Sequence, residues 1–110
     1  MDERVGERPE FGYGRGARPL FTVRDRDAEE IRKVLRKAGC REFGGADGGF
    51  AVEGGRNEAP FLVACAIDER TEAEQQLRLY REALTAVGMR VEPDSEDAKT
   101  LLVWMPGTAT

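Results

Sequence analysis

Pro60-Phe61-Leu62-Val63-Ala64-Cys65-Ala66-Ile67 runs into a helical stretch from Thr71 to Val87 and then into Gly88-Met89-Arg90-Val91-Glu92. An earlier stretch has the same grammar: Pro19-Leu20-Phe21-Thr22-Val23, a helical run from Asp27 to Ala38, then Gly39-Cys40-Arg41-Glu42-Phe43. Each opens at a proline, continues as an apolar segment, turns into an amphipathic helix, stops at a glycine and resumes with an extended segment. The pairing reads as an internal βαβ-type repeat, and the second copy is the longer by about two helical turns.

Working outward, Leu20 to Arg24 reads as a first strand, with Asp25 or Asp27 capping the helix that follows. Ala28, Ile31, Val34, Leu35 and Ala38 recur at helical spacing, and Gly39 is the stop. Cys40 to Phe43 and Phe50 to Glu53 read as short strands joined by the turn Gly44-Gly45-Ala46-Asp47-Gly48-Gly49. Phe61 to Ile67 is apolar throughout, as a central strand would be, with Phe61, Val63, Cys65 and Ile67 turned toward the helices. On the second helix Ala73, Leu77, Tyr80, Leu84 and Val87 form one stripe, with Gly88 as its stop. Met89 to Glu92, an acidic turn and Leu101-Leu102-Val103-Trp104-Met105 complete the pattern.

The order β-α-β-β-β-α-β-β predicts an α+β two-layer sandwich with two helices on one face of a mostly antiparallel sheet. A βαββαβ core within it resembles the ferredoxin-like arrangement in topology alone. Residues 1–18 are read as a flexible N-terminal arm, 19–106 as a single domain and 107–110 as a disordered C-terminus. Two helices cover one side of a sheet, so alternation leaves Leu62, Leu102 and Trp104 on the other. An apolar face of that kind is the expected interface with a protein partner or a second copy of the chain, that is, a homodimer.

At 110 residues the chain is long enough for one core without disulfides or metal. Its net charge of −4 argues against whole-surface attraction to nucleic acid or anionic membranes. Arginine is favoured over lysine, which occurs only at Lys33, Lys37 and Lys99, a composition expected of a GC-rich bacterial genome. Neither a leader-like start nor an apolar run long enough for a bilayer is seen, which makes cytoplasmic the expected location and a membrane partner unexpected.

The chain contains no histidine, which removes Ser-His-Asp and Cys-His catalysis and the commonest zinc ligands. Cys40 and Cys65 match no metal spacing and read as buried free thiols. Gly12-Tyr13-Gly14-Arg15-Gly16 looks like a phosphate loop but precedes a strand instead of following one. The carboxylates Asp25, Asp27, Glu29 and Glu30, and likewise Asp68, Glu69, Glu72 and Glu74, stand at helix starts where the dipole favours them; Asp94, Glu96 and Asp97 form a turn. The sequence therefore predicts a non-enzymatic binding or adaptor protein with no cofactor and no metal. Spacing gathers Arg32, Lys33, Arg36 and Lys37, with Arg41 nearby, into a basic stripe on the outer face of the first helix. That stripe supports the alternative of a nucleic-acid-associated regulator, and the turn from Gly44 to Gly49 that of a small-molecule-binding regulatory domain.

Overall fold

The structure is a computed structural model, and it describes residues 8–44, 48–54 and 59–107. Helix α1 (Val23–Lys37), strands β1 (Phe50–Glu53) and β2 (Phe61–Cys65), helix α2 (Arg70–Ala86) and strands β3 (Arg90–Asp94) and β4 (Asp97–Trp104) follow one another. The four strands form one sheet in the order β1-β2-β4-β3, antiparallel throughout. Both helices pack on one face of it, which makes the α+β two-layer architecture that the periodicity predicts. Among the described residues no helix is long and apolar enough to cross a membrane.

The repeat exists, but its unit is αββ, not βαββ. Residues 20–24, expected as a first strand, instead make the entry into α1. The Thr22 hydroxyl accepts from the Asp25 N–H at 3.0 Å while Asp25 Oδ2 accepts from the Thr22 N–H at 3.2 Å, a reciprocal capping box. The cap outweighs the extended preference of the apolar run, so Phe21 and Val23 are left exposed. Without that leading strand the ferredoxin-like order is not formed.

Residues 41–43 are not a hairpin arm either. Phe50 N donates to Arg41 O at 3.0 Å and Phe43 N to Phe50 O at 2.8 Å, so this segment touches the start of β1 in a parallel bridge between Glu42 and Phe50. A Cβ at Gly49 would collide with the Arg41 carbonyl and one at Gly48 with the Ala66 carbonyl. These two glycines are therefore needed for close backbone packing. Residues 45–47 of the expected turn lie outside the described residues.

The helix stops match each other atom for atom. Gly39 and Gly88 take φ of +89° and +90°. After α1, Gly39 N donates to Arg36 O and Cys40 N to Leu35 O, each at 3.0 Å. After α2, Gly88 N donates to Thr85 O at 3.0 Å and Met89 N to Leu84 O at 3.1 Å. Both are Schellman motifs, and Cys40 with Leu35, like Met89 with Leu84, are buried. The repeat equates α1 with α2 and the hairpin β1–β2 with β3–β4.

The core lies between sheet and helices. Phe50, Phe61, Val63 and Val103 from the strands meet Ile31, Leu35, Tyr80 and Leu84 from the helices, all essentially without exposure. Phe50 meets the Tyr80 ring edge to face at 6.0 Å. Each such side chain contributes about 1.5–3 kcal/mol by burial. The Tyr80 hydroxyl donates to Cys65 Sγ at 3.7 Å. Both cysteines are buried free thiols, and burial, then the neighbouring Cys65, pushes the Cys40 thiol up.

Of the segment expected as a flexible arm, residues 8–18 lie against the start of the domain and residues 1–7 lie outside the described residues. Phe11 N donates to Leu20 O at 3.0 Å, Leu20 N to Gly12 O at 2.9 Å and Gly14 N to Arg18 O at 2.7 Å around a short 3₁₀ turn (Arg15–Ala17). At the other end, Pro106 and Gly107 form a turn and residues 108–110 lie outside the described residues.

Candidate functional site

Two places stand out: the sheet face away from the helices, and the ion-pair cluster where the N-terminal segment meets α1.

Register places one set of side chains on the open face. Glu53, Leu62, Leu102 and Glu92 lie in one row across the sheet; Ala51, Ala64 and Thr100 lie in a neighbouring row. Trp104 stands beside Arg90 at the near end. Burial alternates along β2, with Phe61, Val63 and Cys65 buried under the helices and Leu62 and Ala64 partly exposed on the other side. Leu102 and Trp104 are likewise half-buried on β4. The three residues that alternation predicted for this face, Leu62, Leu102 and Trp104, are thus brought together there. The Arg90 guanidinium lies 4.4 Å from the Trp104 ring centroid and pairs with Glu92, so one wall of the apolar strip is charged.

The face is graded in size. Its Trp104 end carries large side chains, and toward the opposite end come Ala51, Ala64 and Thr100. Thr100 is closed off by donating to Asp97 Oδ2 at 2.8 Å. That bond and the Lys99 backbone N–H, the larger influence, hold the Asp97 carboxyl below its usual value. The sheet's edges are less available than its face. Residues 41–43 bridge the start of β1, and β3 carries Pro93, which has no N–H to offer a further strand.

The second place centres on Glu29, which is 5% exposed. Its Oε1 accepts from Arg18 at 3.1 Å and from Arg32 at 3.0 Å. Its Oε2 accepts from Arg36 at 2.6 Å and from the Arg15 backbone N–H at 3.3 Å. Four donors meet the roughly four lone-pair sites of one carboxylate. Glu42 closes a ring, accepting from Arg18 at 3.0 Å and Arg36 at 3.1 Å. Gly14 is part of the fit, since a Cβ there would lie 2.6 Å from the Glu29 carboxyl carbon. Burial alone would raise the Glu29 carboxyl, but hydrogen bonds from Arg36, Arg15 and Arg32, and the charge of Arg36, hold it below the usual range. Arg36 is correspondingly raised: desolvation opposes its charge, and Glu29 and then Glu42 more than compensate.

This cluster corrects the expected basic stripe. Arg32 and Arg36 do not face outward; their side chains are 13% and 15% exposed, and they turn onto Glu29 because the acid stands three and seven residues earlier on the same helical stripe. Of the four α1 residues in the stripe, Lys33, paired with Glu30 at 3.8 Å, and Lys37 are the exposed ones, and Arg41 lies beyond the helix with its Nε donating to Gly48 O at 3.0 Å. The acidic groups seen at helix starts also find local uses: Asp25 belongs to the α1 cap, and Glu69 caps α2 by accepting from Thr71 N at 2.7 Å and Glu72 N at 3.1 Å. Arg18, Glu29 and Glu42 were missed as a unit in the sequence; Glu29 was legible through its spacing to Arg32 and Arg36, while the partners beyond the helix carry no local signal.

Comparison of the chain with protein-family models, with curated proteins and with solved structures found no match.

Proposed function

We propose that this protein acts by binding and not by catalysis, as a self-associating interaction module whose open sheet face packs against the same face of a second copy. The observation that carries the reading is the half-buried apolar strip Leu62, Leu102 and Trp104 on a sheet whose helices cover only the other side. An uncovered strip of this kind is stabilised by a partner.

A second copy fits by shape and by charge. A two-fold axis midway between the two facing sheets, parallel to them and perpendicular to the strands, lays the Trp104 end of one copy over the Ala51 and Ala64 end of the other, large onto small. The same operation brings the Arg90 end of β3 toward the Asp94 end of its mate, opposite charges meeting at the rim. Four strands span about 19 Å and five residues about 17 Å. That footprint is smaller than the roughly 800 Å² per partner of a standard interface, which fits a weak, reversible dimer.

A nucleic-acid surface on α1 has less support, because Arg32 and Arg36 are engaged with Glu29. Non-enzymatic action draws its support from the same economy: the strongly paired carboxylate and guanidinium groups satisfy each other. Sedimentation equilibrium of the wild type and of Leu102→Lys tests the proposal. The wild type is expected to dimerise reversibly and the variant, with a charge in the centre of the face, to stay monomeric at the same concentration. A wild type that remains monomeric up to high micromolar concentration overturns it.

A further inference from the structure

We infer that the pocket beside the Glu29–Glu42 ring is a binding site for a phosphate monoester carrying a flat apolar substituent. The pocket has a volume of about 520 Å³ and is lined by Arg15, Arg18, Arg36, Arg41, Glu42 and Phe43 among others. This falls within the range of small-molecule sites, about 300–1,000 Å³, and exceeds what a bare phosphate ion needs.

Charge selects the ligand class. Within the ring, the guanidiniums of Arg18, Arg32 and Arg36 face the carboxylates of Glu29 and Glu42, which leaves one positive charge. Among the described residues, the Arg15 and Arg41 guanidiniums have no carboxylate partner and add two more. The excess is therefore three positive charges beside one pocket, in a chain whose net charge is −4. A dianion uses that excess where a monoanion leaves most of it unanswered.

The backbone of Arg15 and the side chain of Arg41 are also held in place. Glu29 has its lone pairs filled and does not draw Arg15 in, and the Arg15 backbone is pinned by its own bond to Glu29. Arg41 is anchored through Nε to Gly48 O at 3.0 Å, which leaves its terminal N–H groups for a ligand. Guanidinium forks match phosphate oxygens in pairs, and fixed forks lose less entropy on binding than free ones. The carbonyl end of α1 lies nearby and disfavours an anion by about 0.3–1 kcal/mol. Its last carbonyls are already capped by the Gly39 and Cys40 N–H groups, so the three charges outweigh it. Phe43, 52% exposed at the pocket wall, offers a ring face for the flat substituent.

The test is calorimetric titration of the full chain with phenyl phosphate, with inorganic phosphate, benzoate and phenol as comparators. Phenyl phosphate is expected to bind about tenfold more tightly than each comparator, and tighter at low salt. The double variant Arg15→Ala/Arg41→Ala, which leaves the Glu29 ring intact, is expected to lose about tenfold in affinity with an unchanged melting temperature, whereas Lys33→Ala/Lys37→Ala binds as the wild type does. No saturation by ~10 mM phenyl phosphate, binding of benzoate or phenol as tight as that of the ester, or a double variant that binds normally, each overturns the assignment. The readout is independent of sheet-face association, which the double variant is expected to retain.

Discussion

Replacing Glu29 by glutamine keeps its shape and removes its charge, and the structure sets the consequence. The carboxylate is 7% exposed and accepts all four of its bonds from donors, three of them guanidiniums. In Glu29→Gln one oxygen becomes an NH₂ that must point either at Arg18 and Arg32 or at Arg36 and the Arg15 N–H, so two acceptances are lost and a donor faces donors. Breaking a buried ion pair by removing one partner costs about 3–5 kcal/mol. Arg18 is 39% exposed and can turn to water, so its share is discounted; Arg32 and Arg36 cannot do so as freely. The expected loss is about 3 kcal/mol, a large part of the roughly 5–15 kcal/mol that holds a domain of this size together. With a urea slope of about 1.5 kcal/mol/M the unfolding midpoint falls by about 2 M. The assay is urea unfolding at neutral pH and one fixed protein concentration, because dimerisation couples stability to concentration. Glu30→Gln is the control: its side chain is 50% exposed and meets Lys33 only at 3.8 Å, so its midpoint should barely move. A Glu29→Gln loss below about 1 kcal/mol refutes the ring as an organising feature of the N-terminal half.

The same carboxylate makes stability depend on pH. Its folded-state pKa lies below its ordinary value of 4.5, so the folded protein binds fewer protons than the unfolded chain in that window. The stabilisation from Glu29 is complete above the ordinary value and disappears as pH falls through the folded one; unfolding free energies measured from neutral pH down through this window should converge for wild type and Glu29→Gln at the acid end. At the α2 stop, Gly88 holds φ of +90° with only the Pro106 ring near an added Cβ, at 3.8 Å or more, so Gly88→Ala carries a backbone penalty without a clash. It is expected to cost about 1–2 kcal/mol by thermal or urea unfolding, and a neutral result would contradict the left-handed stop.

The periodic parts of the chain were readable because burial enforces them locally: Ala28, Ile31 and Leu35 on α1, the alternation of Phe61, Val63 and Cys65 on β2, and the stopping glycines all stand where their spacing puts them. Leu62, Leu102 and Trp104 were legible for the same reason, since a strand that buries one set of side chains must present the other. At residues 20–24 a helix cap overrides the extended preference of the apolar run. Thr22 and Asp25 at a spacing of three are a helix-start signature, and that pair, more than Phe21 or Val23, decides the local structure. The ring escaped because Arg18, Glu29 and Glu42 are brought together only by the fold. Seen locally, an acid in the first turns of a helix already has a reason to be there in the dipole. The placement of segment 8–18 escaped with it, being fixed by backbone bonds to Leu20 and polar contacts to Glu29 and not by an apolar stripe.

Trp104 is the only tryptophan in the chain and stands on the open face, so its emission reports directly whether that face is covered. Measured at a series of concentrations through the micromolar range, the emission maximum is predicted to move to the red on dilution, along one two-state dimer curve, and to hold its dilute value at every concentration in Leu102→Lys. An emission maximum that is the same at all concentrations in the wild type would contradict pairing of the sheet faces.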